Sequence, residues 1–340
     1  MTGRNRQWLL KNRPQNHATT NDFELNTAAI PDRELADNEI LVKHAVFLCA
    51  PTMRNWMDPP SNSLYPSIPL GAPVMAPAVG EVIRSGDPAI AEGARISTIG
   101  SWQEYEIIDT TQRPILPIAD GLTYADAMGR YGLNSLTAYF GTLEVGQLKS
   151  GETLVVSGAA GSTGSVAAQI GKLHGATVIG IAGGKAKCDW LTEVCGLDAA
   201  IDYKSEDVAA RMAALCPDGI DVFYDNVGGE ILQAAVNNMA KFGRIVLCGQ
   251  ISSYDSDESP EGPRNMMRMV YGSITMKGFL ARDYGEQFPE ALANIIAWTE
   301  EGKIIHRVDL RKGFENLPQN YLALFDGSNN GTLLAQITED

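Results

Sequence analysis

The stretch VVSGAAGSTGSVAAQ, Val155–Gln169, decides the fold. An apolar run, TLVVS, leads into glycines at 158, 161 and 164, and a small-residue helical run, SVAAQIGKLHG, follows. The spacing is G-x-x-G-x-x-G rather than G-x-G-x-x-G, so by itself it does not separate a phosphate cradle from a glycine-rich turn. Its setting favours the cradle. A strand that passes through glycines into a helix turns free N–H groups and the positive end of the helix dipole toward an anion. Gly161 and Gly164 allow close backbone approach, and Ala167 and Ala168 let the helix lie tightly on a sheet.

Outward from this loop, strand-like and helix-like segments alternate. ATVIGIAG precedes a helical Lys185–Cys195, AAIDY precedes EDVAARMAALC, and IDVFYDNV precedes GEILQAAVNNMAKF, after which comes GRIVLCG. Short apolar runs between helices predict a parallel sheet buried on both faces, a doubly wound α/β domain with its ligand beyond the strand carboxyl ends. A further amphipathic helix is expected over about Gln287–Glu301. The first third differs: EILVKHAVFL, APAVGEVI, ARISTIG and QEYEIID are β-like runs broken by prolines and turn residues, as in a β-rich domain. The expected division is 1–122 with 303–340 for the β-rich domain and 123–302 for the dinucleotide-binding one.

With 340 residues, 44% hydrophobic and 20% charged, the composition is that of a globular protein. A net charge of −14 argues against nucleic acid or an anionic membrane as the main partner. Neither a signal pattern nor a membrane-length apolar run is visible, so a cytoplasmic enzyme is expected. The five scattered cysteines suggest neither a disulfide framework nor a zinc site.

The second strand ends in GIAGGKAKCDW, with Gly183 and Gly184 where an NAD-binding unit carries an acid for the ribose hydroxyls. Lys185 and Lys187 follow. Two ammonium groups without an acid suit the extra negative charge of a 2′-phosphate, although lysines also occur at solvated helix starts. Lysine there opposes the helix dipole, which a bound anion would offset. The expected cofactor is NADPH/NADP+.

The chain resembles the zinc-independent medium-chain dehydrogenase/reductases, in the leukotriene B4 dehydrogenase/prostaglandin reductase group with curcumin reductase and alkenal double-bond reductases. The resemblance rests on LTAYFG (136–141), GAAGSTGS (158–165), AGGKAKCDWL (182–191), IDYK (201–204), FYDNVGGE (223–230) and FGRIVLCGQISSY (242–254), followed by EGKI and GFENLP. It implies a Rossmann domain plus a GroES-like β-rich domain and a homodimer. It also implies that Gly161, Ser162, Thr163 and Gly164 bind pyrophosphate and that Lys187 and Tyr203 contact the 2′-phosphate. Asn226, Cys248, Gly249, Tyr254, Phe279 and Asn329 would lie near the rest of the cofactor. Zinc-dependent relatives carry Gly-His-Glu where this chain has Ala72 and Pro73, neither a zinc ligand, so no metal is expected.

The expected chemistry is conjugate reduction of an α,β-unsaturated ketone or aldehyde. The β-carbon takes hydride, and the enolate that develops needs only hydrogen-bond donors. Tyr254 is the expected catalytic donor, since the resemblance places the matching tyrosine between nicotinamide ribose and substrate carbonyl. Thr52, Arg54, Asn134 and Tyr284 are the expected substrate-pocket residues. Two departures bear on selectivity: Cys49-Ala-Pro-Thr-Met-Arg54 stands where relatives have Val-Asp-Pro-Tyr-Met-Arg, and Asn134-Ser135 replaces Pro-Gly. The stretch 252–270 fits either a mobile lid or a solvated loop ahead of a core or interface helix. A zinc-free quinone or carbonyl reductase, and a nucleotide-binding protein without turnover, are the alternatives.

Overall fold

The computed structural model describes residues 3–61, 64–255 and 262–338. The chain forms two compact units that part between Arg130 and Tyr131 and again between Arg307 and Val308.

The unit Tyr131–Arg307 is built on six strands: β1 Thr153–Ser157, β2 Thr177–Ala182, β3 Ala199–Asp202, β4 Ile220–Asp225, β5 Met239–Leu247 and β6 Thr275–Gly278. All neighbours pair parallel, in the order β3-β2-β1-β4-β5-β6. The winding reverses between β1 and β4, and such a reversal opens a crevice beyond the strand carboxyl ends. The helices are α1 Leu133–Phe140, α2 Ser162–Leu173, α3 Lys185–Asp189, α4 Val208–Leu215, α5 Gly229–Asn238, α6 Ile251–Tyr254, α7 Met266–Gly272 and α8 Phe288–Glu300.

Alternation along β1 explains the two-sided burial. Leu154 and Val156 enter one core with Val166, Ala167 and Ile170 of α2, while Val155 enters the opposite core with Phe223, Met212 and Ala235. Each fully buried aliphatic side chain contributes about 2 kcal/mol. One element differs from expectation. The helix predicted through Phe242 ends at Asn238, and Met239 is extended (φ −65, ψ 140) opposite Ile220 in the ladder. Met239 is buried three residues after the buried Val236, so helical periodicity runs on past the true helix end. Phe242 is exposed in the left-handed region (φ 65) where the strand is irregular.

The other unit is β-rich. Glu39–Leu48, Met75–Ser85 and Arg95–Ser101 form an antiparallel meander, and Tyr105–Asp109 pairs back on Glu39–Leu48. Thr332–Gln336 extends the sheet antiparallel to Glu39–Leu48, with Val308–Lys312 parallel beside it. Phe47, Trp102, Phe314 and Tyr321 centre its core. Tyr124 and Met128 of the helix Tyr124–Gly129 join that core, which carries the boundary past residue 122. Buried His44 bonds Glu106 at 3.0 Å, and Glu106 also pairs with Arg113.

The fold is thus α/β, with a doubly wound parallel-sheet unit and a β-rich unit. Among the described residues no helix is long and apolar enough to cross a membrane.

Candidate functional site

The turn after β1 is held by backbone contacts. The Ala159 N–H donates to the Ile181 carbonyl (2.9 Å) and the Gly161 N–H to the Gly158 carbonyl (3.0 Å). Any Cβ on Gly164 would collide with the Gly158 carbonyl oxygen and lie 3.0 Å from Ala159 Cα, so only glycine lets α2 start this close to β1. Gly161 caps α2 in an extended conformation, Ser162, Thr163 and Gly164 form its first turn, and that turn carries no acidic side chain. The first N–H groups of a helix lack intrahelical acceptors, and the loop fits a pyrophosphate without a counter-charge nearby in its own sequence. Asn134 of α1 donates its side-chain N–H to Ser162 Oγ at 2.7 Å. This expected substrate residue is therefore placed at the phosphate loop.

The turn after β2 is made of side chains. A Cβ on Gly183 would lie 2.8 to 2.9 Å from the Tyr203 ring, so the glycine lets the ring cover the turn. Tyr203 remains 50% exposed. Burial depresses the Lys187 pKa, and the positive charges of Lys204 and Arg307 depress it further. Cations that disfavour one another's charge form a site that an anion relieves. Lys185 has a different environment: its exposed ammonium bonds the Asp189 carboxylate at 2.6 and 2.8 Å. The nearby Asp202 carboxylate accepts the Gly184 N–H (2.7 Å), the Lys204 N–H (3.0 Å) and the Ser205 hydroxyl (2.9 Å), so it supports the turn's own backbone.

A buried carboxylate organises the ends of β1, β4 and β5. Asp225 accepts the Ser157 hydroxyl (2.7 Å) and the Val227 and Gly228 N–H groups (3.0 Å each). Ser157 Oγ accepts the Asn226 N–H (2.8 Å), and the Asn226 side-chain N–H donates to the Ser157 carbonyl (2.7 Å). The Asp225 carbonyl accepts the Cys248 and Gly249 N–H groups at 2.9 and 3.0 Å. Asn226, Cys248 and Gly249 are brought together here. Burial raises the Asp225 pKa, against the pull of its N–H and hydroxyl donors. It also pushes the Cys248 thiol up to about 11, which leaves that thiol un-ionised and a poor nucleophile at neutral pH.

Tyr254 ends α6 and folds back so that its phenol oxygen accepts the Gln250 N–H at 2.9 Å. Burial raises its pKa above the usual tyrosine value. The phenol is neutral at physiological pH and keeps a proton to donate. Phe279 lies half-buried against the core beside Gly141, and Tyr284 stacks on Phe140 with centroids 4.9 Å apart and planes 9° apart.

Three expected residues belong to the β-rich unit. Thr52 precedes the short helix Met53–Trp56 without a side-chain cap bond. Arg54, 5% exposed, donates to Asp58 (2.7 Å), which braces its own turn, and to the Pro14 carbonyl (3.4 Å), which ties that turn to the N-terminal segment. Asn329 donates to the Gly331 carbonyl at 3.0 Å in the loop after Leu317–Asp326. Of the stretch 252–270, residues 256–261 lie outside the described residues. Sequence reasoning did not single out Ser157, Asp225 or the Gln250 N–H. An acid ending an apolar strand ahead of Asn-Val-Gly-Gly is the local signal for Asp225.

Residues 6–115 match a family model described as the N-terminal domain of oxidoreductase, and residues 162–297 one described as zinc-binding dehydrogenase. The NADPH-dependent curcumin reductase of Escherichia coli (strain K12) is 34% identical across 99% of this chain and 98% of its own. The 2-alkenal reductase (NADP(+)-dependent) of Nicotiana tabacum is 34% identical across the same shares. The crystal structure of CurA in complex with NADPH from Vibrio vulnificus superposes with a TM-score of 0.90 at 35% identity, over 98% of this chain and 100% of that one. The chain belongs to the zinc-independent medium-chain dehydrogenase/reductases, in the group of curcumin, alkenal and prostaglandin reductases.

Proposed function

We propose that this NADP-dependent oxidoreductase reduces the carbon–carbon double bond of α,β-unsaturated ketones and aldehydes. NADPH, when bound, supplies the hydride that the β-carbon receives. The Gly161–Gly164 backbone holds the pyrophosphate, with Ser162 positioned by Asn134. Lys187 and Tyr203 hold the 2′-phosphate, while Asn226, Cys248 and Gly249 form the wall on the nicotinamide side. Phe279 is further assigned to the cofactor and Tyr284 to the substrate.

Tyr254 is the observation that carries the chemistry. Its oxygen accepts the Gln250 N–H, which orients the phenol and leaves the O–H to donate to the carbonyl oxygen as negative charge develops there. The raised pKa keeps that proton in place through the neutral range. Collapse of the enolate takes one proton at the α-carbon, from water or from the phenol, and completes the addition of two hydrogens across the double bond.

The test is NADPH consumption with an enone, its saturated ketone and a quinone, followed by product identification. Loss of the double bond with the carbonyl intact is expected. Turnover with the quinone alone, or none across a broad enone panel, would overturn the reading. The proposed homodimer is checked by the mass of the protein in solution, where a single-chain mass would rule it out.

A further inference from the structure

We infer that Arg307 is a specificity-determining residue for the 2′-phosphate of NADPH, held beside Lys187 by stacking on Trp190 and by a buried clamp from Gln169. The inference rests on the NADPH reading above and assigns a third cationic side chain to that subsite, from the far end of the unit's sequence.

The geometry is built in three steps. Gln169 lies on α2, the helix that begins at the phosphate loop, and is 2% exposed. Its amide grips one residue from both sides, donating to the Ile305 carbonyl at 3.0 Å and accepting the Ile305 N–H at 2.8 Å. A buried amide satisfied on both its donor and its acceptor fixes a segment strongly, because breaking either bond strands a desolvated polar group. Ile304, the preceding residue, is buried in the same core as Trp190, and its N–H donates to the Trp298 carbonyl at 3.1 Å. The segment that carries Arg307 is therefore tied to the helix that would hold the pyrophosphate.

In the second step, the Arg307 guanidinium carbon lies 4.4 Å from the Trp190 ring centroid. A guanidinium over an indole face is attracted by the ring quadrupole and loses rotamer freedom before any ligand arrives. In the third step, Trp190 follows Lys187 by three residues along the continuous helical run that starts at Lys185. Residues three apart share one face of a helix, so the stacked guanidinium lies on the Lys187 side. The electrostatics agree: Arg307 and Lys204 both act on the Lys187 ammonium and disfavour its charge.

A cluster of Lys187, Lys204 and Arg307 has a clear ligand chemistry. A phosphate monoester dianion relieves the mutual repulsion, and guanidinium can meet two of its oxygens at once. A ribose 2′-hydroxyl offers no charge to relieve it. Asp202, an acid on the turn, is engaged by the Gly184 and Lys204 backbone N–H groups and the Ser205 hydroxyl. The cluster thus favours NADPH over NADH by an electrostatic route that does not touch the pyrophosphate.

The experiment measures dissociation constants for 2′,5′-ADP and 5′-AMP, and kcat/KM for NADPH and NADH, in the full chain and in Arg307→Gln and Arg307→Lys. Arg307→Gln is expected to weaken 2′,5′-ADP about tenfold and 5′-AMP less than about twofold. Arg307→Lys keeps the charge and is expected to recover part of the ratio. A merely structural arginine would shift both nucleotides together, so the ratio, and not the affinity, is the readout. An unchanged 2′,5′-ADP to 5′-AMP ratio in both variants, with the unsubstituted protein still preferring 2′,5′-ADP, overturns the role of Arg307 alone. No preference in the unsubstituted protein overturns the NADPH reading and this inference with it. If Arg307→Gln lowers the melting temperature strongly, the comparison is read from Arg307→Met, which keeps an aliphatic stem on Trp190 without the charge, and an unaltered 2′,5′-ADP to 5′-AMP ratio there overturns the role.

Discussion

The turns after β1 and β2 lie on adjacent parallel strands and face the same edge of the sheet, yet they are built differently. At the first, the chain approaches itself so closely that Gly164 has no room for a side chain, and N–H groups of the helix start are the available donors. At the second, Tyr203 covers Gly183 and the charge comes from Lys187 with Lys204 and Arg307 nearby. A backbone cradle is steric and close to all-or-none. A side-chain cluster is electrostatic, graded and adjustable one residue at a time. The first turn should hold what all dinucleotides share, and the second what distinguishes them.

The largest effect expected from this contrast is at Gly164. Gly164→Ala places a methyl group against the Gly158 carbonyl, a misfit of about 3 kcal/mol that the loop relieves only by moving. Affinity for NADPH and NADH should fall together by about 100-fold. Thermal unfolding should shift down by roughly 5 °C or more. Isothermal titration with both nucleotides checks this, and a loss confined to NADPH would break the division of labour between the turns.

The turn after β5 combines the two modes, since a backbone N–H from Gln250 aims the side chain of Tyr254. Tyr254→Phe removes the donor but leaves the ring. With an enone, kcat should fall on the order of 50-fold, somewhat less than a fully enclosed oxyanion donor costs, because water can substitute in part. NADPH affinity should change little. A fall in nucleotide affinity with kcat unchanged would make Tyr254 a cofactor residue only.

Smaller again is Lys187→Ala. It should weaken NADPH about tenfold and NADH less than about twofold, from the loss of one charge-assisted contact. Initial rates with each cofactor at varied concentration decide it. Equal weakening of both would mean that Lys187 supports the turn rather than reading the 2′-phosphate.

How legible these features are in sequence follows from how local they are. The parallel sheet is readable because burial on both faces forces apolar runs such as TLVVS and IDVFYD between helical segments. The phosphate loop is readable because glycines, a strand and a helix all fall within Val155–Gln169. The Ser157–Asp225 bond joins residues 68 apart, and the Gln169–Ile305 clamp joins residues 136 apart. Neither leaves a local pattern, because each depends on which strands and segments become neighbours in space. Asn134 is an intermediate case: its polarity marks it as unusual, but only the packing of α1 beside α2 shows that its partner is Ser162, 28 residues on. The helix end at Asn238 was hidden for another reason, since buried Met239 continues the helical spacing while already pairing as a strand.

The smallest effect tests the contrast most sharply, because it separates two lysines that look alike in GGKAK. Lys185 and Lys187 are two residues apart, but only Lys187 is half-buried and in the field of Lys204 and Arg307. Lys185 is exposed and paired one helical turn along with Asp189, and such a surface pair is weak and screened by salt. Lys185→Ala should therefore leave the KM for NADPH and for NADH within about twofold. Its melting temperature should be indistinguishable from that of the unsubstituted protein. The decisive measurement sets its NADPH-to-NADH ratio beside that of Lys187→Ala under identical salt. Similar ratios would mean that the turn reads phosphate through its general positive field, with burial irrelevant. A ratio that moves only for Lys187 locates the selectivity in the half-buried cluster, where a neighbouring cation is screened least and an anion has most to offset.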